Sequence, residues 1–230
     1  MRRALALPVL LLALYAPQVG DASAQACIPD QHGALVCGEG KAAMRVLADT
    51  VSPSKAYAFA WRSGQGLTVS NPPPDGVENL LIRISDGTVL ARLGGTYWAT
   101  GEARANRYDL AAAWSPDNRS VVEVANSRWD SDSFAYYRID DATAAKLDLR
   151  ALVKPVLTAR LPPRNRKGNS FRVRTDLPLT LDARGRLGFT AMLYVPKGET
   201  TNDYKVQVNI RTRGGKPSAD VVSIRRVKAD

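Results

Sequence analysis

Histidine and cysteine are nearly absent: the 230 residues include one His, His32, and two Cys, Cys27 and Cys37. A His-based triad would have to use His32, which lies beside Asp30 between the two cysteines and reads as a polar loop residue. The same scarcity excludes the usual zinc-ligand spacings, and pairing of the two cysteines would leave no thiol nucleophile. Long apolar runs are also missing. The one from Ala4 to Ala16 is interrupted by Pro8 and is shorter than the roughly 20 residues that span a bilayer. Phosphate-cradling glycine loops are lacking as well, because Gly94-Gly95 and Gly214-Gly215 are too short and read as turns. No metal site and no cofactor are therefore expected.

The apolar run has another use. Met1-Arg2-Arg3 precedes it and the small residues Ala22-Ser23-Ala24 follow it, so residues 1–24 read as a secretory signal peptide and the mature chain starts at Gln25. That places the protein in the periplasm or outside the cell. Cys27 then has two uses: a lipid anchor, or a disulfide with Cys37. An oxidising compartment and an even cysteine count favour the bridge. Closing so short a loop contributes roughly 2 to 3 kcal/mol.

Period-two patterns dominate what remains, and they predict a mainly β, antiparallel fold. In Lys55 to Arg62 the aromatics Tyr57, Phe59 and Trp61 share one face, with Ala56, Ala58 and Ala60 on the other. Tyr204, Val206, Val208 and Ile210 alternate with Lys205, Gln207, Asn209 and Arg211. Such alternation implies one face on a core and one in water. Further strands are expected over 79–85, 88–93, 120–125, 134–140, 171–175, 187–195 and 220–227, separated by turns such as Asp86-Gly87 and Arg213-Gly214-Gly215. Helical spacing occurs once: Leu149, Leu152, Val153, Val156 and Leu157 follow Asp148, a possible N-cap. Pro155 limits this helix, near 148–160, to a short or kinked one.

The turns also repeat. Ser52-Pro53-Ser54-Lys55, Ser115-Pro116-Asp117-Asn118 and Asp182-Ala183-Arg184-Gly185 each lead into a strand, and Pro53, Pro116 and Ala183 are 63 and 67 positions apart. Ala113 to Asp141, with Trp114, the Ser-Pro-Asp-Asn turn and a later aromatic strand ending in Asp140, resembles the TolB-type β-propeller repeat. The resemblance implies a turn that fixes entry to an inner strand, with a hairpin neighbour behind it. Asn118 stands where that repeat has Gly, and Asn also accepts positive φ. Residues 25–150 are thus expected to form a β domain with two propeller-like repeats. The alternatives are closed blades, an open meander or packed sheets.

Charge is unevenly distributed. Residues 25–149 hold 12 basic and 15 acidic side chains, whereas residues 150–230 hold 18 basic and 6 acidic. The basic β-rich part, 151–230, belongs either to the same domain or to a second. Arg160, Arg164, Arg166 and Lys167 fall in a loop, Arg172 and Arg174 on one strand face, and Lys205, Arg211 and Arg213 on another. If the strands share a sheet, these nine form a cationic surface suited to an envelope protein or an anionic envelope polymer. The structural alternative is solubility and edge protection. Nucleic acid is a poor fit, since export separates the chain from it and aromatics do not interleave with the cations.

Carboxylate chemistry offers a competing reading. Asp130 and Asp132 would serve an envelope hydrolase if they converged in a pocket. The run Asp130-Ser131-Asp132-Ser133 also begins like a calcium loop, but Ala135 stands where the sharp turn needs Gly, and a hairpin turn is expected instead. Trp61 and Trp114 are expected in the core, with Trp98 and Trp129 the better surface candidates. The leading expectation is a non-catalytic periplasmic binding or interaction protein.

Overall fold

Turn chemistry divides the chain into consecutive antiparallel meanders. The computed structural model describes residues 26–31, 33–67, 72–195 and 200–227; the expected signal segment and His32 lie outside the described residues. The first sheet runs β1 (Cys27–Pro29), β2 (Leu35–Cys37), β3 (Met44–Val46), β4 (Tyr57–Ser63), β5 (Val77–Arg83) and β6 (Val89–Arg92) in chain order. A small hairpin, β7 (Ala99–Thr100) and β8 (Ala103–Arg104), leads to the second sheet. That sheet comprises β9 (Asp109–Trp114), β10 (Ser120–Asn126), β11 (Ser131–Ile139) and β12 (Ala144–Asp148). After helix α1 (Leu149–Thr158), the third sheet orders β13 (Ser170–Val173), β15 (Arg186–Val195), β16 (Thr200–Arg213) and β17 (Lys216–Arg226), with β14 (Thr180–Leu181) also on β15.

One backbone device opens a strand in each sheet. The amide of the turn's fourth residue donates to the carbonyl of its first: Lys55 to Ser52 at 2.8 Å, Asn118 to Ser115 at 2.9 Å and Gly185 to Asp182 at 3.0 Å. All three fourth residues have positive φ, 60°, 56° and 75°, a conformation that Gly adopts freely and Asn tolerates. The first side chain then accepts the amide of the entering strand. Tyr57 donates to Ser52 Oγ at 3.1 Å, Ser120 to Ser115 Oγ at 3.0 Å and Arg186 to Asp182 Oδ1 at 2.8 Å. The third copy closes one residue sooner. These bonds satisfy amides that a bare turn leaves open.

The sheets stack in chain order. Phe59, Trp61 and Leu81 of the first meet Val121, Ala135 and Tyr137 of the second. On the other side, Val122, Val124 and Phe134 join Leu187, Phe189, Leu193, Val206 and Val208 of the third. Phe134 lies 4.9 Å from Phe189, edge to face, and 6.2 Å from Phe171. Each such ring removed from water stabilises by about 1.5 to 3 kcal/mol. The middle sheet is therefore apolar on both faces.

The outer faces of the stack end differently. On the first sheet, Ala58, Ala60, Leu80 and Ile82 do not face water: with Cys37, Met44 and Val46 of the N-terminal strands they form a third core. The hairpin β1–β2 folds back to make it, and the Cys27 amide reaches the Ile84 carbonyl at 3.2 Å. The disulfide Cys27–Cys37 joins opposed residues of that hairpin, leaving no sulfur for a lipid anchor. This corrects the expectation of a solvated alanine face on β4. The third sheet keeps a polar outer face, as a terminal unit requires when nothing stacks on it.

Helix α1 forms as expected. Asp148 accepts the Ala151 amide at 2.9 Å, and Leu149, Val153 and Leu157 are buried in the core shared by the second and third sheets. A boundary at residue 150 consequently falls inside α1, between side chains of one core.

Candidate anion-binding surface

Arg172 lies on β13, the Arg174 amide extends the pairing by donating to Thr190 O at 2.9 Å, and Lys205, Arg211 and Arg213 lie on β16 of the same sheet. The inward face of β16 carries the buried Tyr204, Val206, Val208 and Ile210, so alternation sends the three basic side chains outward. Cross-strand register adds two cations that the sequence reading did not single out. Arg225 is opposite Lys205, and Lys216 is opposite Arg213. Lys216 follows the two-glycine turn 214–215 directly, the signal that could have exposed it.

Only part of this charge is neutralised. Arg174 pairs with Asp203 at 2.7 Å and Asp176 at 2.5 Å, and Arg211 pairs with Asp220 at 2.8 Å. The hydrogen bond from Arg174 holds the Asp176 carboxyl below its usual range. Lys205, Arg213, Lys216 and Arg225 are exposed and have no carboxylate partner among the described residues. Cations directly opposite one another across a strand pair repel, so Lys205 with Arg225 and Arg213 with Lys216 form two centres open to a counter-anion.

The remaining expected cations lie elsewhere. Leu161 sits in the core beneath the inner face of the third sheet, tying the following loop to that side. Arg166 closes the end of α1 by donating to Leu161 O at 2.9 Å and Ala159 O at 3.0 Å, and serves the fold. Arg160, Arg164 and Lys167 are exposed. The nine residues are thus divided between two surfaces, because the sheet separates its outer face from the loop. Arg172 bends toward the second sheet, where it pairs with Asp109 at 3.2 Å.

The candidate acids are engaged. Asp130 faces Arg150 at 3.1 Å and Lys154 at 3.4 Å, and its Oδ1 accepts the Phe171 amide at 3.2 Å. It clamps α1 and β13 to the β10–β11 turn. Asp132 is exposed and accepts from Ser127 Oγ at 2.9 Å. The carboxylate the sequence did not signal is Glu123, which has no exposed surface and accepts from Tyr137 Oη and Ser133 Oγ, each at 3.0 Å. Its Oε1 has no hydrogen bond of good geometry. Burial pushes its carboxyl up to about 7 despite those two donors. The group is sealed between sheets, out of contact with solvent.

The tryptophans depart from expectation at one position. Trp61 is fully buried, and Trp114 packs in the same core while donating to Thr50 O at 2.9 Å. Trp98 is only 4% exposed because it packs on Trp61 at 6.2 Å, which removes it as a surface candidate. Trp129 is 49% exposed. Among the described residues no three His, Cys, Asp or Glu side chains group as metal ligands, and no helix is long and apolar enough to cross a membrane. No protein-family model matches the chain, and the comparison with curated proteins gives no match.

Proposed function

We propose that this is an exported, non-catalytic binding protein that engages an anionic component of the cell envelope through the outer face of its C-terminal sheet. Its meanders are read as blades akin to the TolB-type repeat. The observation that carries the reading is the set of four unneutralised cations, Lys205, Arg213, Lys216 and Arg225, on the outer face of one strand pair. The summed field of these charges draws anionic polymers toward the face. Export is supported by the N-terminal sequence and by a disulfide, a bond that persists in oxidising compartments.

Co-sedimentation of the mature protein with isolated envelope tests this. Binding is expected to weaken as salt rises, and to be lost when Lys205, Arg213, Lys216 and Arg225 are all changed to Glu. Replacing Arg166, which caps α1, is expected to leave it unchanged. Full envelope binding by the folded quadruple variant overturns the proposal.

A further inference from the structure

A separate cleft of about 720 Å³ opens where the β7–β8 hairpin meets the second and third sheets. It is lined by Arg104 of β8, Arg107 of the loop before β9, Arg128 of the β10–β11 turn and Arg172 of β13, with Glu102 and Asp109 as its acids. Three segments distant in sequence thus deliver four guanidinium groups to one concavity. Four cations against two carboxylates leave it a net charge of +2.

The neutralisation is not shared evenly. Arg172 takes Asp109, which also accepts from Asn126 at 3.2 Å and from Thr175 Oγ1. Arg172 also donates to the Arg128 carbonyl at 3.0 Å and to the Ser127 carbonyl, so it fixes the turn that carries Arg128. The guanidinium of Arg128 lies 4.6 Å from the ring centroid of Trp129, which stacks on Tyr194 at 5.5 Å. Such a cation–π contact orients a guanidinium without neutralising it. Arg104 lies beside the Tyr97 phenol, and Arg107 is exposed at φ 63°. Arg104, Arg107 and Arg128 have no carboxylate ion-pair partner among the described residues.

A non-glycine residue in the left-handed region is uncommon and favours Asn or Asp when it occurs. Arg107 occupies it in the lining of a cleft already rich in arginine. Guanidinium forks match the oxygen geometry of phosphate and carboxylate groups, where an ammonium would act only as a point charge. The volume falls within the range of small-molecule sites.

The geometry points to a binding site for a small dianionic solute, a phosphate monoester or a dicarboxylate. Arg104, Arg107 and Arg128 contact its oxygens, and Trp129 is a positioning residue for Arg128. This site is distinct from the sheet face that holds Lys205 and Arg213, and stands or falls independently of it.

Calorimetric titration of the full mature chain at low ionic strength with inorganic phosphate, glycerol 3-phosphate and succinate tests the assignment, with glycerol as neutral control. Saturable binding of at least one dianion is expected and glycerol should give none. Preference for the phosphates identifies a phosphate site, and preference for succinate a dicarboxylate site. The variant Arg104→Gln/Arg107→Gln/Arg128→Gln should weaken binding at least about tenfold, and Trp129→Leu should weaken it less. Lys41→Gln, at an exposed position between strands of the first sheet, should leave the affinity within about twofold. Arg107→Gly is the variant that separates recognition from folding: it relieves the positive φ, so the melting temperature should hold or rise while affinity falls. Absence of saturable binding for all three dianions, or unchanged affinity in the triple variant, overturns the assignment.

Discussion

The backbone amide of Ser54 donates to the side-chain oxygen of Asn118 at 3.1 Å, so the turn that opens β4 is bonded to the turn that opens β10. Asn118 has two tasks: it holds φ at 56° and it supplies that acceptor. Asn118→Gly should keep the first and lose the second, lowering stability by about 0.5 kcal/mol because the bond is exposed. Asn118→Ala should lose both, for a loss of about 1 to 2 kcal/mol. Urea unfolding of the two variants checks the order. Equal losses would mean that the turn's conformation is not what the side chain secures.

Glu123 gives the protein a pH dependence of definite sign. Its carboxyl titrates near 7 in the folded protein against an ordinary 4.5, because burial disfavours the charged form. The folded state then binds a proton that the unfolded state has released between those values. The associated stability is fully present below pH 4.5 and is lost as pH rises through 7. The span amounts to at most about 3 kcal/mol. Glu123→Gln should remove this component: its unfolding free energy, minus that of the parent, should grow more favourable from pH 5 to pH 8 by about 2 kcal/mol. A difference that stays flat across that interval would show that the carboxylate is solvated or paired.

How much of this was legible in the sequence depends on what each strand faces. The alternation of Tyr204, Val206, Val208 and Ile210 with polar residues was readable because β16 has one face on a core and one in water. Strand β10 has cores on both faces, so Glu123 within Val121-Val122-Glu123-Val124 is buried where alternation would assign it to solvent. The Ala-rich β9 and the mixed β12 carried no period at all. The repeated turns were visible, since Ser, Asp, Asn and Gly each leave a local backbone signature. The cleft was not: Arg104, Arg107, Arg128 and Arg172 meet only after the β7–β8 hairpin and the second and third sheets have packed. The outer-face cations were legible on β16, whereas Lys216 and Arg225 required the register of β17.

Gly94 and Gly95 illustrate the same limit, being packing residues as well as turn residues. A Cβ on Gly94 would lie 2.3 Å from the Ser133 Cβ, and one on Gly95 2.6 Å from the Ala125 Cβ, with φ at 84°. The first sheet's exit loop therefore lies flush on the second sheet, beside Glu123. Gly94→Ala should destabilise by about 2 to 3 kcal/mol through overpacking, and Gly95→Ala by a similar amount with added backbone strain. Pairing Gly95→Ala with Ala125→Gly should restore the steric part alone, leaving about 1 kcal/mol from the positive φ. A double-mutant cycle measures that coupling, and zero coupling would place the contact elsewhere.

Asp130 allows two roles of one carboxylate to be separated, and the result bears on whether acid chemistry belongs there. Its Oδ2 meets Arg150 at 3.1 Å and Lys154 at 3.4 Å, both from α1, while Oδ1 receives the Phe171 amide of β13 at 3.2 Å. Asp130→Asn keeps an acceptor for Phe171 and discards the charge. The pairs are partly exposed, with side-chain accessibility of 27 to 35%, so screening limits the loss to about 0.5 to 1 kcal/mol. Asp130→Ala also abandons the buried end of β13, and should lose about 2 to 3 kcal/mol. High salt should narrow the gap between the parent and Asp130→Asn but not that between Asp130→Asn and Asp130→Ala, because only the first gap is ionic. A clamp of this kind predicts that loosening α1 accompanies the Ala variant alone, seen as faster amide exchange across Leu149–Thr158. If Asp130→Asn instead leaves stability and exchange unchanged while abolishing a hydrolytic activity on envelope polymer, the carboxylate is an acid or base, and the non-catalytic reading gives way.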